Sequence, residues 1–194
     1  NEEHRFMVLD QLRELGITSG PVLLEPSARN TAPAMTLAAL AACEGNGDPV
    51  LVVSPADHVV ADMAAFTRAM NTAVHAAAGG AIVVLGITPD RPETGYGYIK
   101  CASGTQAARV VSQFVEKPDL VTAERYLADG NYTWNSGMFV LRASTWLDAL
   151  KRFRPDILSS TANAWAARKT DQRFVRPGAA EFAAVPSESI DSGS

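Results

Sequence analysis

The chain has few cysteines, no cluster of basic residues and no long apolar run, and each of these absences excludes something. Among 194 residues only Cys43 and Cys101 are cysteines. They lie far apart and without metal-ligand spacing, so two reduced, core-type thiols are expected rather than a disulfide scaffold or a zinc cluster. No run approaches the roughly 18 consecutive apolar residues of a membrane span. The 17 basic and 21 acidic residues leave a net charge of −4 with no basic block, which argues against a nucleic-acid surface. There is no Walker loop, no Gly-x-Ser-x-Gly elbow, no Cys–His pair in register and no internal repeat, so no covalent nucleophile stands out.

The composition is that of a folded protein. Apolar residues make up 47% and charged residues 20%, which excludes intrinsic disorder. A chain of this length buries roughly 70% of its unfolded surface, enough for one core and one domain. It opens on Asn-Glu-Glu-His, with neither an initiator Met nor a signal-peptide pattern, and closes on Ser192-Gly193-Ser194. It therefore reads as a fragment of a cytoplasmic protein.

Periodicity places the elements. Phe6, Leu9, Leu12 and Leu15 recur on one face of a helix stopped by Gly16. Val22 to Leu24 reads as a short strand ending at Glu25-Pro26. Thr31 is the expected N-cap of an Ala-rich helix with Pro33 in its first turn. Val50 to Val53 is an apolar run suited to a strand buried on both faces. Met63 to Ala78 is helical and closed by Gly79-Gly80, and Ala81 to Gly86 forms another strand. Thr88 to Gly97 must be loop. Tyr98 to Cys101 and Arg109 to Phe114 flank the Ser103-Gly104 turn as strands. Asp119 to Ala128 is a helix, Gly137 to Leu141 a strand, and Ser144 to Phe153 a helix capped by Ser144. Trp165 lies in a further helix, and the pattern fades after Gln172. Alternation of strand and helix over the first 90 residues predicts an α/β fold, a mostly parallel (mixed) central sheet flanked by helices.

Several polar groups fall at strand ends, where open α/β sheets present their ligand crevice. Asp57, just beyond Val50 to Val53, is a hard carboxylate suited to Mg²⁺ held together with substrate phosphates; a turn or cap role is its structural alternative. In Phe114-Val115-Glu116-Lys117-Pro118, the proline ends the strand. Lys117 is then a point charge for phosphate and Glu116 an acceptor for sugar hydroxyls, or the two form a solvated ion pair. The loop Arg91 to Tyr98 carries alternate glycines that let backbone N–H groups approach a ligand, or that simply turn. Asn135-Ser136-Gly137 at a strand entrance offers amide bonds to hydroxyls, or an Asx turn. Glu25 to Thr31 leads from a strand end into a helix N-terminus, where backbone donors favour anions and polar ligand edges. Within it Arg29 either pairs with phosphate or is a surface arginine. These residues alone describe an α/β domain that binds a phosphorylated, hydroxylated ligand with Mg²⁺.

In combination the motifs resemble the nucleotidyltransferase core, Rossmann-like in fold, of bacterial mannose-1-phosphate guanylyltransferases. That family includes bifunctional members with an added phosphomannose isomerase domain. The resemblance rests on NEEHRF at 1–6, EPSARNTAPA at 25–34, SPADH at 54–58, GITPDRPETGYGYI at 86–99, FVEKP at 114–118, WNSGMF at 134–139 and SESID at 187–191, in the family's order. It implies transfer of GMP from GTP to α-mannose-1-phosphate, giving GDP-mannose and pyrophosphate, with Mg²⁺ or another divalent cation, for polysaccharide precursors.

On that resemblance Asp57 is a metal ligand, and Glu25, Arg29, Asn30 and Thr31 hold the nucleotide. Lys117 binds the sugar phosphate, while Glu116, Asn135 and Gly97 hold the sugar. Asp57 and Lys117 are the catalytic pair. The partners implied are these two substrates, without nucleic acid or membrane and with a possible homo-oligomer. The family's Gly-rich triphosphate cradle and a second metal aspartate find no match here. Residues 1–194 are therefore expected to be a single partial domain, lacking an N-terminal βα unit and a C-terminal portion and inactive alone. Two other readings compete: a sugar-1-phosphate nucleotidyltransferase of different base or sugar specificity, and a non-catalytic regulatory homologue.

Overall fold

A computed structural model describes residues 2–18, 20–104 and 106–190. In chain order its helices are α1 (Arg5–Glu14), α2 (Thr31–Ala42), α3 (Met63–Ala78), α4 (Leu120–Asp129), α5 (Ala143–Phe153), α6 (Pro155–Ala166) and α7 (Ala179–Ala183). Its strands are β1 (Val22–Leu23), β2 (Val50–Val53), β3 (Val83–Ile87), β4 (Tyr98–Cys101), β5 (Val111–Val115), β6 (Tyr132–Arg142), β7 (Lys169–Asp171) and β8 (Phe174–Arg176). The chain divides into two compact units: Asn1–Pro49 with Trp146–Ser194, and Val50–Thr145.

The Val50–Thr145 unit is built on one sheet, and β6 is its spine. Along β6, Tyr132, Trp134, Ser136 and Met138 are buried while the residues between them are only partly so, the period-two signature of a pleated strand. On one side β6 pairs with β3, and on the other with β2 near one end and β4 near the other; β5 extends the sheet beyond β4. All of these ladders are antiparallel. The α/β fold with helices flanking a sheet agrees with the sequence reading, but the mostly parallel pairing does not hold among the described strands: this sheet is antiparallel throughout. Strands β2 and β3 do share one direction, as a strand–helix–strand unit requires. They never touch, because antiparallel β6 lies between them. Alternation along the chain reports strand direction, and it cannot report which later strand is inserted.

Strand β2 also departs from expectation, since Val52 is 51% exposed. Among the described residues β2 pairs only with β6, so it lies at a sheet edge. Ala73 and Ala77 of α3 pack on Val140, with Val50, Met70, Val83 and Leu85 around them. Small alanines let this helix approach the sheet closely. Its N-cap Asp62 accepts from the Ala65 amide at 2.8 Å. At its other end the Arg142 guanidinium donates to the Ala78 carbonyl at 3.0 and 2.7 Å, a cation placed where the helix dipole is negative. Helix α4 is capped by Asp119, which accepts from Thr122 at 2.7 Å, and by Gly130 in the left-handed region. Its Ala123 and Tyr126 cover Tyr98, Tyr132 and Trp134.

In the other unit β8 pairs parallel to β1 and antiparallel to β7, and α6 packs against α2 and α7. The Trp146 indole donates to Thr36 Oγ1 at 3.0 Å, and that hydroxyl donates to Ala32 at 2.7 Å, so two buried polar groups satisfy one another. Helix α1 forms where its spacing predicts and ends at Gly16 (φ +69°), yet none of its residues is fully buried. It is tied down by Phe6 edge-on to Phe174 and by Arg176 forked onto Glu2 at 3.0 and 2.7 Å. Cys43 and Cys101 are free and half-buried. Burial, with the Asp48 charge, pushes the Cys43 thiol up, which favours its protonated form.

Candidate functional site

The residues expected to hold a sugar phosphate converge inside the Val50–Thr145 unit. The expected strand Gly137 to Leu141 is longer than predicted, starting at Tyr132, so Asn135-Ser136-Gly137 lies within β6 rather than at its entrance. Gly137 sits at φ +69°, a left-handed kink that glycine tolerates without a Cβ penalty. Asn135 Oδ1 accepts from the Gly137 amide at 3.0 Å, and Ser136 Oγ accepts from Met138 while donating to Leu85. The Asx turn and the strand are thus both present, one inside the other. With Oδ1 engaged, the Asn135 side-chain NH₂ remains as a donor.

The register then assembles a row across the sheet. Gly86 stands opposite Asn135 in the β3–β6 ladder. The Asn135 amide donates to the Gly97 carbonyl at 2.7 Å. Tyr98 pairs with both Trp134 and Val115, which brings Gly97 beside Asn135 on one side and Glu116 on the other. A Cβ on Gly97 would lie 2.8 Å from Glu116 Oε2, 3.1 Å from Phe114 and 3.4 Å from Asn135. Glycine is therefore favoured at 97, where any side chain would displace the Glu116 carboxylate and press on Phe114. Glu116 and Lys117 follow the last residue of β5 as the sequence predicts, 3.6 Å apart and both exposed. Lys117 adopts φ +44°, an uncommon conformation for a residue with a side chain, of the kind that concentrates at binding sites.

The neighbouring loop is a structural turn at its centre. Glu93 Oε1 accepts from the Thr94 and Gly95 amides at 3.1 and 3.2 Å, so the N–H groups expected to face a ligand there are already used. Arg91 stacks over Trp134 at 5.3 Å and Tyr96 meets the same ring edge-on. Asp57 and His58 are both exposed on the segment beyond β2. That segment runs close to the β6 kink, since a Cβ on Gly137 would come within 3.6 Å of Pro55. No group of three or more His, Cys, Asp or Glu placed to hold a metal occurs among the described residues, Asp57 included. A single hard carboxylate beside phosphate ligands fits Mg²⁺, which keeps several waters and takes one or two carboxylates.

The residues expected to hold a nucleotide lie together in the other unit. Glu25 Oε1, Ser27 Oγ and Arg29 Nε are all shielded from solvent without a hydrogen-bond partner. Each such orphan costs about 1–3 kcal/mol, and three in five residues make this a loop whose polar groups no described residue satisfies. Burial pushes the Glu25 carboxyl above its ordinary range. Ser27 stands in the quoted motif, and nothing in its local sequence signals an orphaned hydroxyl. The Arg29 guanidinium turns inward and donates to the Ala183 carbonyl.

Thr31 is the first residue of α2 rather than its N-cap. That place falls to Asn30, at φ +68° and without a side-chain cap bond. The Thr31 hydroxyl instead accepts from the Ile190 amide at 2.9 Å and lies 3.4 Å from Ser189 Oγ. The SESID motif thus holds the loop in place, although its Asp191, like Asn1 of the first motif, lies outside the described residues.

Polar loops at the strand ends of an α/β fold occupy the places where domains of this class present their ligand crevice. The sequence profile of the nucleotidyl transferase family matches residues 1–180, and the chain belongs to that family. It is 53% identical over 191 residues to the xanthan biosynthesis protein XanB of Xanthomonas campestris pv. campestris, covering 98% of this chain and 41% of that one. To the mannose-1-phosphate guanylyltransferase of Escherichia coli it is 49% identical over 198 residues, with the same coverage of 98% and 41%.

Among solved structures, it matches one described as mannose-6-phosphate isomerase from Helicobacter pylori. The TM-score is 0.87 at 32% identity, over 98% of this chain and 74% of that one. A second, described as mannose-1-phosphate geranyltransferase from Thermus thermophilus, matches with a TM-score of 0.78 at 34% identity, over 94% and 51%. The chain spans about two fifths of the length of the curated relatives it matches. No helix among the described residues is long and apolar enough to cross a membrane.

Proposed function

We propose that the protein carrying this chain transfers GMP from GTP to α-mannose-1-phosphate, releasing pyrophosphate and forming GDP-mannose for polysaccharide synthesis. The carrying observation is the row Gly97–Asn135–Glu116 beside Lys117. It offers the Asn135 side-chain amide as donor, a carboxylate acceptor and a cation, with Glu116 and Asn135 drawn in over a residue that has no side chain. A hexose phosphate needs that combination of hydroxyl acceptors, hydroxyl donors and one charge for phosphate. The relatives named for mannose-1-phosphate guanylylation and for xanthan biosynthesis support the same substrates. A single family match spanning residues 1–180, and so drawing on both compact units, supports one partial catalytic domain.

In this reading Lys117 holds the sugar phosphate so that its oxygen faces the α-phosphorus of GTP. Attack in line forms the new P–O bond as the bond to the pyrophosphate oxygen breaks, and the electron pair leaves with pyrophosphate. No covalent intermediate on the protein is needed, and positioning supplies most of the rate. Asn135 and Glu116 fix the sugar, and the Gly97 backbone lies between them. The Glu25 carboxylate accepts from the adjacent N1–H and N2–H donors that only guanine presents, which selects GTP. Asp57 is the residue that would hold a divalent cation, Mg²⁺ by its donor chemistry, whose charge screens the phosphates when it is bound.

The test is pyrophosphate release by the full-length protein, crossing GTP, ATP, UTP and dTTP with mannose-1-phosphate and glucose-1-phosphate. Release confined mainly to GTP with mannose-1-phosphate, and abolished by chelation, is expected. Release with another pair would move the specificity, and none with any pair would overturn the assignment.

A further inference from the structure

Arg154 lies far in sequence from the nucleotide-side loop, and no motif marks it. It closes α5 by donating its amide to Leu150 at 2.8 Å and sits at the N-cap of α6. Its guanidinium forks onto Asp156 at 3.0 and 2.9 Å, and its remaining arm reaches Glu188. The planar fork makes this a rigid strut rather than a swinging surface charge.

What Glu188 does with its backbone gives the strut a purpose. Its amide donates to the Arg29 carbonyl at 3.3 Å and its carbonyl accepts from the Ala32 amide at 3.1 Å. These two bonds bracket Asn30 and Thr31. Asn30 sits at φ +68°, a left-handed conformation that costs a non-glycine residue free energy and persists only where its surroundings over-determine it. The same bracket is extended by Ile190 on Thr31 and by Arg29 on Ala183. Every bond from Arg154 to the loop lies within one compact unit.

We propose that Arg154 is a positioning residue for nucleotide binding. Through Glu188 it holds the Asn30–Thr31 turn in its left-handed shape, and so sets affinity for the nucleoside triphosphate without touching it. This rests on the reading that the loop from Glu25 to Thr31 binds the nucleotide.

The experiment is a double-mutant cycle of Arg154→Met and Glu188→Gln in the full-length protein, with Asn30→Ala as a direct loop variant. Each is read as KM for GTP, KM for mannose-1-phosphate, Tm, and hydrogen exchange at the Ala32 and Glu188 amides. Arg154→Met is expected to raise KM for GTP about tenfold, roughly one charge-assisted hydrogen bond. KM for mannose-1-phosphate should stay within about twofold, and exchange at Ala32 should accelerate. Glu188→Gln should do the same to a smaller degree, and the double variant should be little worse than Arg154→Met alone, because the two act in series. Arg154→Lys should restore part of the loss.

If both KM values rise together, or the losses simply add, the strut is overturned. If Asn30→Ala raises KM for GTP and Arg154→Met does not, the strut fails while the loop's assignment stands. If neither variant moves KM for GTP, the loop's assignment fails and takes the strut with it. Should Arg154→Met not fold, Glu188→Gln decides the matter by the same readouts.

Discussion

The Asn135 amide donates to the Gly97 carbonyl at 2.7 Å, and the Glu116 carboxylate lies where a side chain at 97 would have to go. Residues 38 positions apart in the chain (135 minus 97) are thereby joined edge to edge. Gly97→Ala should push Glu116 off its position and raise KM for mannose-1-phosphate by about tenfold or more. Overpacking of this kind typically costs about 1–3 kcal/mol of stability. KM for GTP should change less than about twofold. Steady-state kinetics with each substrate varied in turn, alongside a thermal melt, checks both expectations.

Lys117 carries the charge proposed for the sugar phosphate. Lys117→Met should raise KM for mannose-1-phosphate by roughly 10- to 100-fold, the range of one charge-assisted contact. Its Tm should hardly move, because the side chain is exposed and its partner Glu116 is also solvated. A large fall in Tm would indicate that the lysine is part of the fold.

Asp57 is proposed as the residue that binds the divalent cation. Asp57→Asn should lower kcat by about 100-fold or more at ordinary Mg²⁺ and shift the Mg²⁺ activation curve to higher concentration. Titration of Mg²⁺ at saturating substrates reads this directly. An unchanged curve would exclude Asp57 from the metal site.

Burial raises the Glu25 carboxyl above its ordinary value, and the sign of its pH effect follows. Between the ordinary and the raised value, the folded chain holds a proton that the unfolded chain has released. Stability from this group therefore falls as pH rises through that window. Above it the carboxylate is ionised, buried and in need of donors. GTP binding should strengthen as pH rises through the same window. Glu25→Gln should flatten both dependences, raise Tm at neutral pH, and narrow the preference for GTP over ATP. Thermal melts from pH 4 to 8, with nucleotide competition at each pH, test the signs together.

Helices with strong local signals were legible in the residues. Met63 to Ala78 has the predicted boundaries, and α4 starts beside Asp119 because that side chain caps it. Strand β6 was half missed: Gly137 looks like an entrance, and only cross-strand pairing shows that the chain stays extended through a left-handed kink. The position of Glu116 and Lys117 after β5 was readable from Pro118. Their meeting with Gly97 and Asn135 depends on ladder register, which no local pattern encodes.

By itself, the sequence determined that Asp57, Glu116 and Lys117 follow strands, since apolar runs and the prolines that stop them are local properties of the chain. It also determined the family, through motifs that keep their order. Only the tertiary structure decided which ends meet. The insertion of β6 between β2 and β3, and the hold that Glu188 and Ile190 have on Asn30 and Thr31 from nearly 160 residues away, come from contacts between distant segments. Such contacts are selected by the packing of the whole sheet and helix layer, and a single strand or helix contains too little of that layer to announce them.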